Sequence, residues 1–353
     1  MAENTLLHDT LLEYINANAR ISPVHLTYNN GSMGSNALRQ AVSHFLNRHF
    51  LPFRPVEPRH VLITNGCSSA IEQQTWSFLN PGDAILLSKP YYSTFIADIT
   101  LRPEAVVIPV EMGALDPLSP DSVSAYETAA SELESRTGRR TINRLLQLCQ
   151  ARQMHLISDE IYALSVWQNR VDTDARSTPF GSLLSRDPTG LIDPDLVHVL
   201  WGMSKDFGAN GLRVGAVISQ SNPDLHVSQK CLLLYVFLSA MSDQITAAIF
   251  SDDANGIEYS AGCNAGFFVW VDLGKKYLEL YLEQKGQGKL TGEFTDMLFQ
   301  RLLRHKVYVA HGTAYGAVDP GWFRLVFAHP LPWLDEAMVR IIHSLSTVHN
   351  LYT

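Results

Sequence analysis

The sequence predicts an α/β fold: a mainly parallel central sheet flanked by helices, joined to a smaller α+β domain. Three observations predict it. Short β-rich runs alternate with helix-period segments through the first two thirds of the chain, the pattern of strands connected by crossover helices. After about residue 255 the texture changes to a shorter mix of strands and helices. The 353 residues are 46% apolar and 18% charged, enough to bury a core of useful size.

The elements follow in order. Strands are expected at Val61–Thr64, Ala84–Ser88, Ala105–Val110, His155–Ser158, Val197–Trp201 and Val214–Ser219. Helices are expected at Asn36–Phe50, Ser68–Leu79 and Ile142–Gln153; in the first, Leu38, Val42, Phe45 and Leu46 share one face. Beyond residue 255, Ala265–Leu273 and Trp322–Ala328 read as strands, and Gly292–His305 and Trp333–Ser346 as helices. A helical pattern in the first 25 residues, Leu6, Leu7, Leu11, Leu12 and Ile15, is grouped with this second part. The expected division is a large domain over 26–250 and a small domain made of 1–25 plus 251–353. The chain has no internal repeat and no low-complexity tract.

Several function classes are disfavoured. The net charge of −8, with no basic run, argues against a nucleic-acid partner. The longest apolar run, Cys231 to Met241, is too short to span a bilayer and reads as a buried helix. Cys67, Cys149, Cys231 and Cys263 form no CxxC pair and the start is not a signal peptide, so a reduced, cytoplasmic protein is expected. Asn30-Gly31-Ser32 reads as a turn. No Walker loop, HExxH, GxSxG or zinc-type cysteine cluster is present, and no metal is expected.

The most informative stretch is Gly202-Met203-Ser204-Lys205-Asp206-Phe207-Gly208-Ala209-Asn210-Gly211-Leu212-Arg213-Val214-Gly215. A lysine at a strand exit, among small residues, can reach into a cleft and form an imine with a carbonyl cofactor. Arg213 adds a fixed positive charge suited to clamping an anion. Asp159 closes the apolar run Met154–Ser158, and strand C-termini face the ligand crevice in such sheets. Gly66-Cys67-Ser68-Ser69 follows a strand and opens a helix, whose free N–H groups and dipole favour an anion. Each has a plainer reading: a surface lysine, a helix-end arginine, a helix-capping aspartate, and ordinary capping by Ser68 or Ser69.

Together, Ser204-Lys205-Asp206-x-Gly208-x-x-Gly211-x-Arg213-Val214-Gly215, Ser158-Asp159-Glu160-Ile161-Tyr162, Pro90-Tyr91-Tyr92 and Asn264-Ala265-Gly266-Phe267-Phe268-Val269-Trp270 resemble the class I/II aminotransferases, fold-type I pyridoxal-phosphate enzymes. The resemblance runs nearly end to end and leans toward the subgroup similar to 1-aminocyclopropane-1-carboxylate synthase. It implies pyridoxal 5'-phosphate as cofactor and Lys205 as the amine that binds it. It further implies Asp159 on the pyridine nitrogen, Tyr162 on the ring hydroxyl, and Arg213, Ser204, Cys67 and Ser68 on the phosphate. Tyr92, rather than Tyr91, is implied to stack on the ring, with a core tyrosine as the alternative. Tyr28 is implied to reach the neighbouring subunit's phosphate, hence a homodimer, although a turn tyrosine reads almost as well. Arg324 is implied to hold the substrate carboxylate of a small-molecule amino acid.

The resemblance breaks in places. The family often has a serine three before the lysine, where this chain has Gly202. Family members carry a strand ending in an Asn-Pro-x-Asn-Pro-like turn before the Asp-Glu-x-Tyr motif; between Val110 and Ile157 this chain has neither. The helical segment that normally joins the domains is too short near Ile249–Ile257, and the N-terminus is abbreviated, so the chain reads as truncated relative to the family. The expected function is a pyridoxal-phosphate-dependent aminotransferase of secondary-metabolite (mycotoxin) biosynthesis. The alternatives are a carbon–sulfur lyase or cyclopropane-forming synthase, and a catalytically impaired relative.

Overall fold

The computed structural model describes residues 7–27, 32–112, 122–134, 145–166, 180–233, 268–285, 291–317, 319–326, 329 and 331–346. The chain divides into two compact units. One is Leu6–Leu87 with Thr94–Gly266; the other is Ser88–Ser93 with Phe267–Thr353.

The larger unit is organised by a four-stranded sheet in the order β1 (Val61–Asn65), β6 (Val214–Ile218), β5 (Val197–Gly202), β4 (Leu156–Asp159). β4 and β5 are parallel, and β6 is antiparallel to both β1 and β5. Hence β1, β4 and β5 share one direction and β6 runs against them. The physical reason is the connection: the segment from Met203 to Arg213 turns back directly, whereas a parallel pairing needs a crossover of a dozen or more residues.

Alternation along these strands splits the apolar side chains between two faces. Val61, Ile63, Val199, Trp201, Val214, Ala216 and Ile218 form one core with Leu38, Val42, Phe45 and Leu46 of α2 (Asn36–His49). Leu62, Leu200 and Val217 form the other with Ala70 of α3 (Gly66–Phe78) and Leu225 of α7 (Pro223–Leu233). α2 starts where Ser35 accepts the Leu38 N–H at 3.0 Å. The N-terminal helix α1 (His8–Asn18), which the sequence reading groups with the small domain, contributes Leu11 to the first core.

β2 (Ala84–Lys89) and β3 (Val106–Glu111) form a separate two-stranded sheet. Among the described residues β4 is therefore an outer strand and pairs with β5 alone. Among the described residues β2 and β4 do not pair with each other. Helices α4 (Thr94–Thr100), α5 (Ser122–Glu134) and α6 (Leu145–Arg152) complete the described part of this unit.

The second unit carries a three-stranded antiparallel sheet, β7 (Phe268–Asp272), β9 (Trp322–Val326), β8 (Ala310–His311) in that order. Helices α8 (Leu273–Lys285), α9 (Gly292–Arg304) and α10 (Leu331–Ser346) cover it, with Tyr277, Phe294, Leu298, Leu302, Phe323 and Ile341 in its core. The expected helix across Cys231–Met241 lies largely outside the described residues. So do residues 142–144, 265–267 and 327–328 at the ends of expected elements, and the 249–257 junction.

Candidate active site

The carboxyl ends of β4 and β5 carry Asp159 and the loop holding Lys205. The two strands are in register, Asp159 opposite Leu200, and the Glu160 N–H donates to Leu200 O at 2.9 Å. Just beyond, the chain turns tightly through Tyr162: Ala163 N–H donates to Glu160 O and Ser165 N–H to Tyr162 O, each at 3.0 Å. Lys205 Nζ stands over the Tyr162 ring, 5.8 Å from its centroid.

Asp159 is solvent-exposed as a residue, yet its carboxyl sits low among protein atoms. That burial pushes its carboxyl up to about 6, against the Ile161 N–H it accepts at 3.2 Å and against nearby Lys205; Glu160 pushes the same way as burial. A cation placed against Asp159 would restore its charge. Glu160, by contrast, is closed off: it accepts from Ser182 Oγ at 2.6 Å, Leu183 N–H at 2.7 Å and Ser158 Oγ at 3.1 Å. It anchors the 182–185 turn and takes no part in the recess.

The N-terminus of α3 lies against the same strand ends, and three glycines allow it. A Cβ on Gly215 would fall 2.5 Å from Gly66 C and 2.8 Å from Cys67 N; one on Gly202 would fall 2.8 Å from Val214 O and 3.0 Å from Cys67 Sγ. Gly202 and Gly215 face each other across β5 and β6, so the first turn of α3 rests on the sheet itself. Gly66, at φ +78, takes a conformation that disfavours side chains, and a Cβ there would meet Arg213 Nη2 at 2.3 Å. Cys67 Sγ fills the space beside Gly202, with its S–H directed to Trp201 O at 3.4 Å. The missing serine at 202 thus has a steric reason: the strand approach leaves no room for a side chain.

Asn65 makes no capping hydrogen bond to α3, so the first N–H groups of the helix are not taken by a side-chain cap. Arg213, held at φ +56 between the Asn210–Leu212 turn and β6, donates through Nη1 to Asn210 O at 3.0 Å and presents Nη2 beside Gly66. Cys67 feels Asp159, Arg213 and Lys205 together, and burial keeps its thiol well above its ordinary pKa, hence neutral. Those four residues therefore share one neighbourhood. Ser68 is the third residue of α3; burial lifts the carboxyl of Asp98 on α4 to about 6, opposed by the Ser68 hydroxyl. Ser204 is half-buried in the turn before Lys205.

This donor set fits a phosphate-bearing aldehyde ring: a cradle that a Cβ would fill, helix N–H groups left uncapped by Asn65 and a guanidinium on one side, an amine and an acid on the other.

The second unit holds the remaining candidates. Arg324 on β9 is 9% exposed and lies opposite Trp270 and Ala310. Its guanidinium carbon sits 4.3 Å from the Tyr315 ring centroid and 4.9 Å from that of Phe268, and its Nε has no partner among the described residues. Tyr92 is exposed, and its neighbour Tyr91 donates its N–H to Tyr315 O at 2.9 Å. Tyr28 lies outside the described residues. Sequence reasoning missed Tyr315, Asp98 and Asp206; each matters through partners distant in the chain, a signal that spacing does not carry.

Comparison with known proteins decides the family. The class I and II aminotransferase profile matches residues 1–121 and 137–262. The chain belongs to that family. Its enzymes are aminotransferases and related lyases, and this chain is one of them. It is 28% identical over 395 residues to the probable aminotransferase sirI of Leptosphaeria maculans, covering 99% of this chain and 91% of the relative. That alignment is longer than the chain, so the relative carries internal segments that this aminotransferase lacks. It is 28% identical over 359 residues to 1-aminocyclopropane-1-carboxylate synthase 5 of Oryza sativa subsp. japonica, covering 89% of this chain and 64% of that one. The fold matches an aromatic aminotransferase from Pyrococcus horikoshii with a TM-score of 0.69 at 16% identity, covering 98% and 93% of the two chains. The family match breaks between 121 and 137, within the Val110–Ile157 stretch where the family's Asn-Pro-x-Asn-Pro-like turn is expected.

Proposed function

We propose that this aminotransferase binds pyridoxal 5'-phosphate in the recess between α3 and the ends of β4 and β5, and acts on an amino acid or amino-acid-derived intermediate of fungal secondary metabolism, such as a mycotoxin pathway. The observation that carries the reading is the shared position of Lys205, Tyr162 and Asp159 beside the glycine seat of α3. When bound, the cofactor supplies an electron-withdrawing ring that accepts charge from the substrate α-carbon.

The chain's own groups do the rest. Lys205 Nζ would hold the cofactor aldehyde carbon and carry the proton of the substrate α-carbon. Asp159 would pair with the ring nitrogen and keep it charged. Tyr162 Oη would donate to the ring hydroxyl without the family's asparagine. Arg213, Ser204, Ser68 and the N–H groups of Cys67 and its neighbours hold the phosphate. Arg324 would bind the substrate carboxylate, its guanidinium carbon lying 4.3 Å from the Tyr315 ring centroid and 4.9 Å from that of Phe268. Tyr92 stacks on the ring, and Tyr28 serves the site of a second copy in a homodimer. The residues searched include no helix long and apolar enough to cross a membrane, which suits the cytoplasmic placement proposed.

The likeness to a 1-aminocyclopropane-1-carboxylate synthase favours one second reading, elimination or ring closure, with carbon–sulfur lysis as its thioether form. Incubation with a β-thioether amino acid separates the two. Keto acid with amine passed to an acceptor is the result expected; ammonia and free thiol in equal amounts would overturn transamination in favour of the lyase.

A further inference from the structure

We propose that Asp206 is a positioning residue: its carboxylate fastens the loop that carries Lys205 to the turn that carries Tyr162, and thereby sets where the lysine amine stands. This rests on Lys205 being the cofactor-binding amine.

Asp206 is 5% exposed. Its Oδ1 accepts from Ser165 Oγ at 2.6 Å and its Oδ2 from the Leu164 N–H at 3.1 Å, so both oxygens are spent on one turn some forty residues earlier. That turn is stiff, because its own hydrogen bonds close back on Glu160 and Tyr162. On the other side Asp206 follows Lys205 directly, and Phe207, fully buried, roots the loop in the core. Within the loop, Gly208 N–H donates to Lys205 O at 2.9 Å and Ala209 N–H to Met203 O at 3.1 Å; outside it, Met203 N–H donates to Val214 O at 3.1 Å and His8 Nε2 lies 3.0 Å from Gly208 O, none of which reaches the turn that carries Tyr162.

The location explains why such a fastening is needed. β4 pairs with β5 as far as Asp159 and Glu160, and there the two chains part. Among the described residues β4 has no second neighbour to steady it. Asp206 supplies a cross-link just past the last rung of the ladder, where Tyr162 and Lys205 would otherwise drift independently. An acid is also a costly way to fill this place: burial lifts its carboxyl to about 7. Packing alone would be served better by an uncharged side chain.

The test uses the full chain with three variants, Asp206→Ala, Asp206→Asn and Ser165→Ala. Each is scored for thermal unfolding, pyridoxal-phosphate affinity, the rate of borohydride labelling at Lys205 and the pH midpoint of the bound cofactor's absorbance. Asp206→Ala is expected to lower kcat roughly 10- to 100-fold with a smaller change in KM, as for a small misplacement of a reacting group, and to slow labelling and shift the absorbance midpoint. Asp206→Asn, which keeps an acceptor oxygen, recovers part of each without losing thermal stability; Ser165→Ala shifts the midpoint in the same direction by less. The proposal is overturned if Asp206→Asn and Ser165→Ala label and titrate as the unaltered protein does, or if all three variants change only the unfolding temperature. If the unaltered protein itself gives no Lys205 adduct, the reading of the site fails first and this inference with it.

Discussion

The two flanks of the four-stranded sheet are built to different standards. On the β1–β6–β5 flank everything meets at backbone distance: Gly202 faces Gly215, α3 rests on both, and both sheet faces are sealed by apolar side chains. On the β4 flank a four-residue strand has one partner among the described residues, and the turn beyond it is held by two carboxylates, Glu160 and Asp206. On the proposed reading the first flank offers the anion seat, the second the acid and the tyrosine. The first is set by a backbone approach that leaves no room for a Cβ. The second is set by side chains, with Glu160 and Asp206 tying together residues distant in the chain.

The largest break in that comparison comes from Gly215→Ala. Its methyl would meet the backbone of Gly66 and Cys67 at 2.5 and 2.8 Å, lifting α3 off the sheet. We expect pyridoxal-phosphate affinity to fall at least tenfold and stability to drop by roughly 1–3 kcal/mol, measured by cofactor titration and urea unfolding. Unchanged affinity would show that the seat is not where the phosphate binds. Next in size is hydrogen exchange: amides of Val214–Ile218, paired on both sides, should exchange last, and those of Leu156–Asp159 that face away from β5 well before them. Equal protection in the two strands would remove the contrast.

The smallest effect sharpens the well-packed flank. His198 on β5 is fully buried, with Nε2 2.9 Å from His155 Nδ1 and Nδ1 3.0 Å from Ser219 Oγ. Burial, then the His155 and His226 charges, lower its pKa from 6.5 to about 3. The unfolded chain therefore binds a proton that the folded chain refuses between those values. Its contribution to stability is complete above pH 6.5 and is lost as pH falls toward 3, at a slope of up to about 1.4 kcal/mol per pH unit. Urea midpoints at pH 7.5 and 5 should show the decline, and His198→Gln should flatten it; a variant as acid-sensitive as the parent would assign the decline to other groups.

Much of this was legible in the sequence. Short β-rich runs located the strands at Val61, Ala84, Val197 and Val214 within a residue or two, and the apolar face of α2 was readable from Leu38, Val42, Phe45 and Leu46. The lysine motif pointed to Lys205 and Arg213, which the structure brings into one neighbourhood with Asp159 and Cys67. Other features were not legible. The apolar run Val214–Ile218 reads alike in either direction, so the reversal of β6 emerges only once its partners are known. Helices α4, α5 and α8 were not among the expected elements. Asp206 and Tyr315 act across long sequence separations, and the reason for Gly202 is a distance to Val214 and Cys67 that no spacing encodes.

The account stands or falls on Lys205 being the amine that takes the cofactor in the recess it shares with Asp159. Borohydride reduction of the pyridoxal-phosphate-loaded protein, followed by peptide mapping, tests it directly. The expected result is a single reduced pyridoxyl adduct on the peptide containing Lys205. An adduct on another lysine, or none on folded protein at saturating cofactor, would contradict it.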